Sequence, residues 1–232
     1  MKLSILMPVY NESRTLAAIF DRLGRLRWDG IEVETICVDD ASTDDSARIL
    51  LELSAGHRRS VRIIRHERNL GKGAAVQTAL SAATGDIVVI QDADLEYHPE
   101  DLETLLQPIL DGRANVVFGS RNLTDNPRYS RFYYWGNLFL NACIYLIYGR
   151  YVSDMETCYK LMRRQILVDL KIQSRGFDME PEITAKLIRM GHPILEMPIR
   201  YTPRSRAEGK KITIRDGIRA LGAILYWRFA PL

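Results

Sequence analysis

The chain has 232 residues, 47% of them hydrophobic, which is enough to bury a real core and compatible with one large domain, the reading preferred, or two small ones. Its formal net charge of +3 is too small to imply nucleic acid or another polyanion as a partner of the whole molecule, although it leaves room for a local basic patch. Cys37, Cys143 and Cys158, odd in number and widely spaced, fit neither a disulfide framework nor a zinc site and read as reduced, cytosolic thiols. No signal-peptide pattern follows Met1 and Lys2, and no apolar run approaches the roughly 18 residues that span a bilayer, so the expectation is a soluble or membrane-surface protein.

In chain order, β-branched runs predict strands at Leu3–Met7, Val33–Val38, Val61–Ile64, Ile87–Ile90 and Asn115–Phe118. Between them, helical spacing links Leu16, Ile19, Phe20 and Leu23, then Val76, Ala79, Leu80 and Ala83, then Leu102, Leu105, Leu106 and Ile109. A strand–helix series of this kind predicts a mostly parallel sheet covered by helices. The stretch 132–148 ("FYYWGNLFLNACIYLIY") is aromatic and apolar but interrupted by Gly136, Asn137 and Asn141, too short and broken to span a membrane. A helix over about Met179–Met190, a strand near Ile194–Met197, the basic loop "PRSRAEGKK" and a helix from Ile212 complete the chain, with no internal repeat or linker.

Ligands of parallel sheets collect at the carboxyl ends of the strands. Polar clusters fall at three such ends: Asn11-Glu12, Asp39-Asp40 and Asp92-Ala93-Asp94. One charged tip is ordinarily a solvated turn, whereas three in register imply one shared site. In an extended backbone Asp92 and Asp94 face the same way, which suits Mg²⁺ or Mn²⁺ held jointly with a diphosphate; alone, an Asp-x-Asp pair is a weak sign. "NLGKGAAV" places Gly71, Lys72 and Gly73 before a helix, where amides and a lysine can approach an anion or simply form a turn. The four histidines, His57, His66, His98 and His192, are scattered and read as packing or surface residues.

The segments "PVYNE", "VDDASTD", "NLGKGAA", "DADLEY", "GSR", "DMETCYK" and "PRSRAEGKK" occur in this order over nearly the whole chain, and together they resemble family 2 glycosyltransferases of the GT-A fold, most closely the polyprenyl-phosphate (dolichol-phosphate) sugar transferase branch. The resemblance implies a single α/β GT-A domain over residues 1–232: a nucleotide-sugar half (1–120) and an acceptor half (121–232) with amphipathic interface helices. It implies Pro8, Tyr10, Glu12 and Asp40 at the base and ribose, Asp92 and Asp94 on the metal with Glu96 as third ligand or near-ligand, and Arg121 and Arg131 facing phosphates. Arg204 and Lys210 match an Arg…Gly-Glu-Ser-Lys loop that closes over the diphosphate, with Ala207 and Gly209 departing from that pattern.

The implied reaction is an inverting, metal-dependent transfer of glucose or mannose from UDP- or GDP-hexose to a polyprenyl phosphate, whose oxygen is already anionic and needs no strong base. A saccharide hydroxyl acceptor would need one. Asp178, Glu180 and Glu182 in "GFDMEPEI" are the candidates, with Asp178 foremost, unless they only decorate a helix start. A non-catalytic nucleotide-sugar binding subunit is the third reading. Ile214, Ile218, Leu221, Gly222 and Leu225 share one predicted helix face, and residues 200–228 carry eight Lys or Arg against Glu208 and Asp216, so either a membrane surface or the core is the expected partner of that face. Tyr226 and Trp227 are expected at headgroup depth. Relatives of this kind often continue into spanning helices; here the expectation is attachment at the cytoplasmic membrane face through surface helices or a separate anchor subunit.

Overall fold

In the computed structural model, which describes residues 1–28, 30–56, 60–127, 130–205 and 208–232, the predicted strands and helices alternate through the first half of the chain. In order these are β1 (Lys2–Val9), α1 (Leu16–Arg25), β2 (Glu32–Asp39), α2 (Ser46–Gly56), β3 (Ser60–Arg65), α3 (Lys72–Ala82), β4 (Ile87–Ile90), α4 (Asp101–Leu110) and β5 (Val116–Ser120). A 3₁₀ turn (Arg121–Leu123) leads to α5 (Arg131–Tyr148), β6 (Lys160–Arg163), α6 (Arg164–Asp169), α7 (Met179–Arg189), β7 (Leu195–Pro198) and α8 (Ile214–Phe229).

The seven strands form one sheet in the order β3-β2-β1-β4-β6-β5-β7. All pairings are parallel except those of β6, which runs antiparallel between β4 and β5. The sequence reading has no β6: the strand is only four residues long, Lys160-Leu161-Met162-Arg163, too short for a period-2 pattern to mark it. Its direction matters for function, because its amino-terminal end sits beside the carboxyl end of β4, with Val89 paired to Leu161.

The inner strands are buried on both faces, as a sheet sandwiched between helices requires; Leu3, Ile5, Leu6, Met7 and Ile87–Ile90 are all essentially inaccessible. Leu16, Ile19, Phe20 and Leu23 cover one face from α1, and Leu102, Leu105, Leu106 and Ile109 do so from α4, as their spacing predicts. Helix α8 starts on a capping box between Thr213 and Asp216 and docks on α7 and α5. Trp227 corrects the sequence expectation: it is buried with Ala185 and Ala230, under the Lys186 ammonium at 3.8 Å, rather than at a surface. No described helix is long and apolar enough to cross a membrane.

Candidate active site

The turns after β1, β2 and β4 each carry a non-glycine residue in the left-handed region: Asn11 (φ 51°), Ala41 (φ 59°) and Leu95 (φ 61°). Such conformations are costly for Ala and Leu and persist only where the surroundings fix them. The first two turns fix one another. Ser42 Oγ accepts from the Asn11 N–H (3.0 Å), Asn11 Oδ1 from the Thr43 N–H (2.8 Å), and Ser46 Oγ from the Glu12 N–H (2.8 Å). Asp40 accepts from the N–H groups of Leu70 (2.9 Å) and Gly71 (2.8 Å) and pairs with His66 Nδ1 (2.7 Å), so it holds the loop before α3 as well as lining the cleft.

That loop is possible only because of its glycines. Gly71 has φ 97°, and a Cβ on Gly73 would lie 2.3 Å from the Ser174 carbonyl oxygen, so residues 174–175 rest directly on the start of α3. Lys72 is thereby aimed into the cleft. Its ammonium meets Asp92 (2.8 and 2.9 Å) and Glu180 (3.3 Å), not an open anion site. Burial alone would lower the lysine's pKa and raise that of Asp92; their pairing outweighs it, holding Lys72 well above and Asp92 below their ordinary values. Behind this pair, fully buried Lys160 grips Glu180 (2.5 Å) and the carbonyls of Met155 and Thr157.

The basic loop after β7 crosses the cleft from the other side. Arg204 makes a bidentate pair with Glu12 (2.8 Å twice) and reaches Asp94 at 3.1 Å. Lys210 meets Glu96 (3.0 Å), and Lys211 meets Glu12 and the Tyr10 carbonyl. Glu96 also accepts from the Arg204 N–H (2.9 Å) and the Tyr201 hydroxyl (2.5 Å). Its carboxylate therefore anchors the basic loop, and among the described residues no three acids are gathered as a metal cradle. Asp94 remains under pressure: burial first, then Asp92 and Glu96, push its carboxyl up to about 7 even against Arg204. Two acids on one strand end, crowded by further carboxylates, fit a divalent cation whose remaining ligands come from a diphosphate.

The remaining predicted residues divide. Pro8, Tyr10, Glu12, Asp40, Lys72, Asp92, Asp94, Glu96, Arg121, Arg204 and Lys210 all line a single cleft of about 650 Å³. Arg121 does so while locked to Asp154 by two 2.7 Å bonds and stacked 5.1 Å from the Tyr201 ring. Arg131, exposed in the first turn of α5, is outside the lining, as is Asp178, which accepts from the Gly176 N–H (3.1 Å). Glu182 is structural, bonded to Lys186 and to the N–H groups of Gln173 and Ser174. His66 bridges Asp40 and Thr78, and His98 bridges Arg22 and Thr202; His57 and Ala207 lie outside the described residues. Sequence reasoning missed Lys211, whose only sign is its place beside Lys210, and gave no role to Asp154, Glu156 and Lys160, although all three lie in the segment "DMETCYK".

A family model described as Glycosyl transferase family 2 matches residues 4–170. A dolichol-phosphate mannosyltransferase of Pyrococcus furiosus is 28% identical over 98% of this chain; the chain spans 64% of that protein's length. A UDP-N-acetylglucosamine–dolichyl-phosphate N-acetylglucosaminyltransferase of Methanococcus voltae is 30% identical over 90% of each chain. Glucosyl-3-phosphoglycerate synthase of Mycobacterium tuberculosis, in a crystal structure with Mn²⁺, UDP and glucosyl-3-phosphoglycerate, shares the fold with a TM-score of 0.75 at 22% identity, covering 99% of this chain and 81% of that one.

Proposed function

Since this chain belongs to glycosyl transferase family 2, we propose that it moves a hexose, glucose or mannose, from a UDP- or GDP-sugar to a polyprenyl phosphate at the cytoplasmic face of a membrane. The observation that carries the reading is the meeting of Arg204 with Asp94 at 3.1 Å, across 110 positions of sequence, beside Lys210 and Lys211. Acids that suit a metal and a cationic loop that suits a diphosphate thus face one cleft. The names of the two dolichyl-phosphate relatives support the lipid acceptor.

In this reading residues 1–120 hold the donor's base, ribose and metal, while residues 121–232 hold the acceptor and supply the basic loop that closes on the donor's diphosphate. Tyr10, Pro8 and Asp40 flank the base and ribose. Asp92 and Asp94 would hold Mg²⁺ or Mn²⁺, which supplies positive charge against the departing diphosphate. Arg204, Lys210 and Lys211 exchange their present carboxylate partners for diphosphate oxygens and neutralise the same charge. Lys72, tied to Glu180, holds Asp92 in place. The acceptor phosphate oxygen attacks the anomeric carbon in line with the leaving oxygen, no proton has to be removed, and the configuration inverts.

The acceptor's lipid side is supported by two exposed apolar stripes beside the cleft mouth: Trp135, Phe139, Ala142 and Leu146 on α5, and Ile214, Ile218, Leu225 and Phe229 on α8. Phe139, Ile214 and Ile218 are also cleft residues, so the stripes run into the site. Arg215, Arg219 and Arg228 flank the second stripe, an arrangement suited to anionic headgroups, and a separate anchor subunit would reinforce the same attachment.

The test is a two-phase transfer assay with Mn²⁺ or Mg²⁺, polyprenyl phosphate and labelled UDP-glucose or GDP-mannose. Label should enter the organic phase from one donor, disappear with chelator, fall by at least about 10²-fold in Asp94→Asn, and persist in Asp178→Asn. Donor hydrolysis with no organic-phase label, together with dependence on Asp178, would move the assignment to a saccharide hydroxyl acceptor.

A further inference from the structure

The sheet order gives the cleft a direction. At its carboxyl edge the ends of β2 and β1 come first, then the Asp92/Asp94 end of β4, then the segment leading into β6, which arrives beside β4 because β6 is antiparallel. A nucleotide sugar laid along this edge has its base at β1 and β2, its diphosphate at β4, and its sugar before β6. The side chain standing there is Glu156, four residues ahead of β6 and part of the cleft lining.

Glu156 differs from every other acid of the cleft in what it lacks. Glu12, Asp40, Asp92, Asp94, Glu96, Glu180 and Asp216 each have a cation or N–H donor, whereas Glu156 has no hydrogen-bond or ion-pair partner among the described residues, and its Oε1 is buried unpaired. The two cations nearest in charge are already engaged: Lys160 with Glu180 and two carbonyls, Arg121 with Asp154. Glu156 is half-buried in the cleft wall, and a carboxylate oxygen buried there without a donor is costly, which points to a ligand that brings donors. Phosphate is the wrong ligand, because an uncompensated carboxylate repels it. A neutral polyol is the right one.

We propose that Glu156 is a specificity-determining residue that accepts hydrogen bonds from hydroxyl groups of the donor's sugar, a role that rests on the transferase reading above. Burial, aided by Glu180, lifts its carboxyl to about 7, the mark of a carboxyl that this wall gives no donor of its own.

The experiment compares the full chain with Glu156→Gln and Glu156→Ala, measuring equilibrium binding of UDP, UDP-glucose, UDP-N-acetylglucosamine, GDP and GDP-mannose with Mn²⁺, and thermal unfolding without nucleotide. The expected result is that whichever sugar nucleotide the wild type binds is weakened at least tenfold by both substitutions, while its parent diphosphate changes less than twofold. Unfolding of nucleotide-free Glu156→Gln should occur at the wild-type temperature or above, since a donor-less carboxylate is removed. Equal affinities in wild type and variants, or equal weakening of sugar nucleotide and bare diphosphate, would overturn the assignment of Glu156 while leaving the transferase reading intact. A wild type that binds none of the five nucleotides would overturn both.

Discussion

Asp92 and Asp94 stand one residue apart, yet their surroundings set them apart: Lys72 holds one carboxyl low, and burial with neighbouring acids lifts the other to about 7. Lys72 is therefore a positioning residue, and Lys72→Met should lower turnover by about 10²-fold, read by steady-state kinetics, because Asp92 and Glu180 lose their shared cation. A second acid shows the opposite balance. Burial pushes the Glu34 carboxyl up, but the Ser4 hydroxyl (2.6 Å), the Thr84 N–H (2.7 Å) and Lys2 outweigh it and hold it at about 2. Because the folded value lies below the unfolded one, this stabilisation is full above about pH 4.5 and is lost as pH falls toward 2. Glu34→Gln should remove on the order of 1–2 kcal/mol at pH 7, because solvent screens part of the interaction, and flatten the acid limb of stability against pH, measured by denaturant unfolding from pH 2 to 7.

Among the elements, α3 and the 174–175 segment depend most on one small residue. Gly73 leaves no room for a methyl group against the Ser174 carbonyl, so Gly73→Ala must separate backbone from backbone. It should destabilise by about 1–3 kcal/mol in thermal or denaturant unfolding and lower activity through displaced Lys72, although alanine is the better helix former. Helix α8 shows how one element serves two surroundings. Ala220, Ile224 and Trp227 face inward, and Arg189 caps the helix by donating to the carbonyls of Trp227 and Ala230. Ile214, Ile218, Leu225 and Phe229 face outward, between 49% and 84% exposed, so docking on the core and an apolar outer face coexist.

At the scale of the molecule, α5 and α8 each present an exposed apolar stripe that runs into the cleft at Phe139, Ile214 and Ile218, which is unusual for a surface that meets only water. The triple variant Leu146→Ser/Leu225→Ser/Phe229→Ser changes no residue of the cleft lining. In co-sedimentation with anionic vesicles at low salt, the wild type should pellet and the triple variant should lose most binding while keeping its unfolding temperature within a few degrees. Wild-type protein left in the supernatant would remove the membrane from the proposed function.

The fold's first half is legible along the chain because its signals are local: β-branched runs are strands, spacings of three and four are helices, and polar residues at strand ends mark the cleft. Strand bounds shift by at most two residues from expectation, and Asp92, Asp94, Arg204 and Lys210 line one cleft. What stayed hidden depends on pairing between distant segments. The direction of β6 follows from its insertion between β4 and β5, the partner of Lys72 from the approach of α7, and the isolation of Glu156 from the prior engagement of Lys160 and Arg121 elsewhere. A sequence lists which charges a chain carries; which of them are left without a partner is a property of all the neighbours at once, and only the tertiary structure decides it.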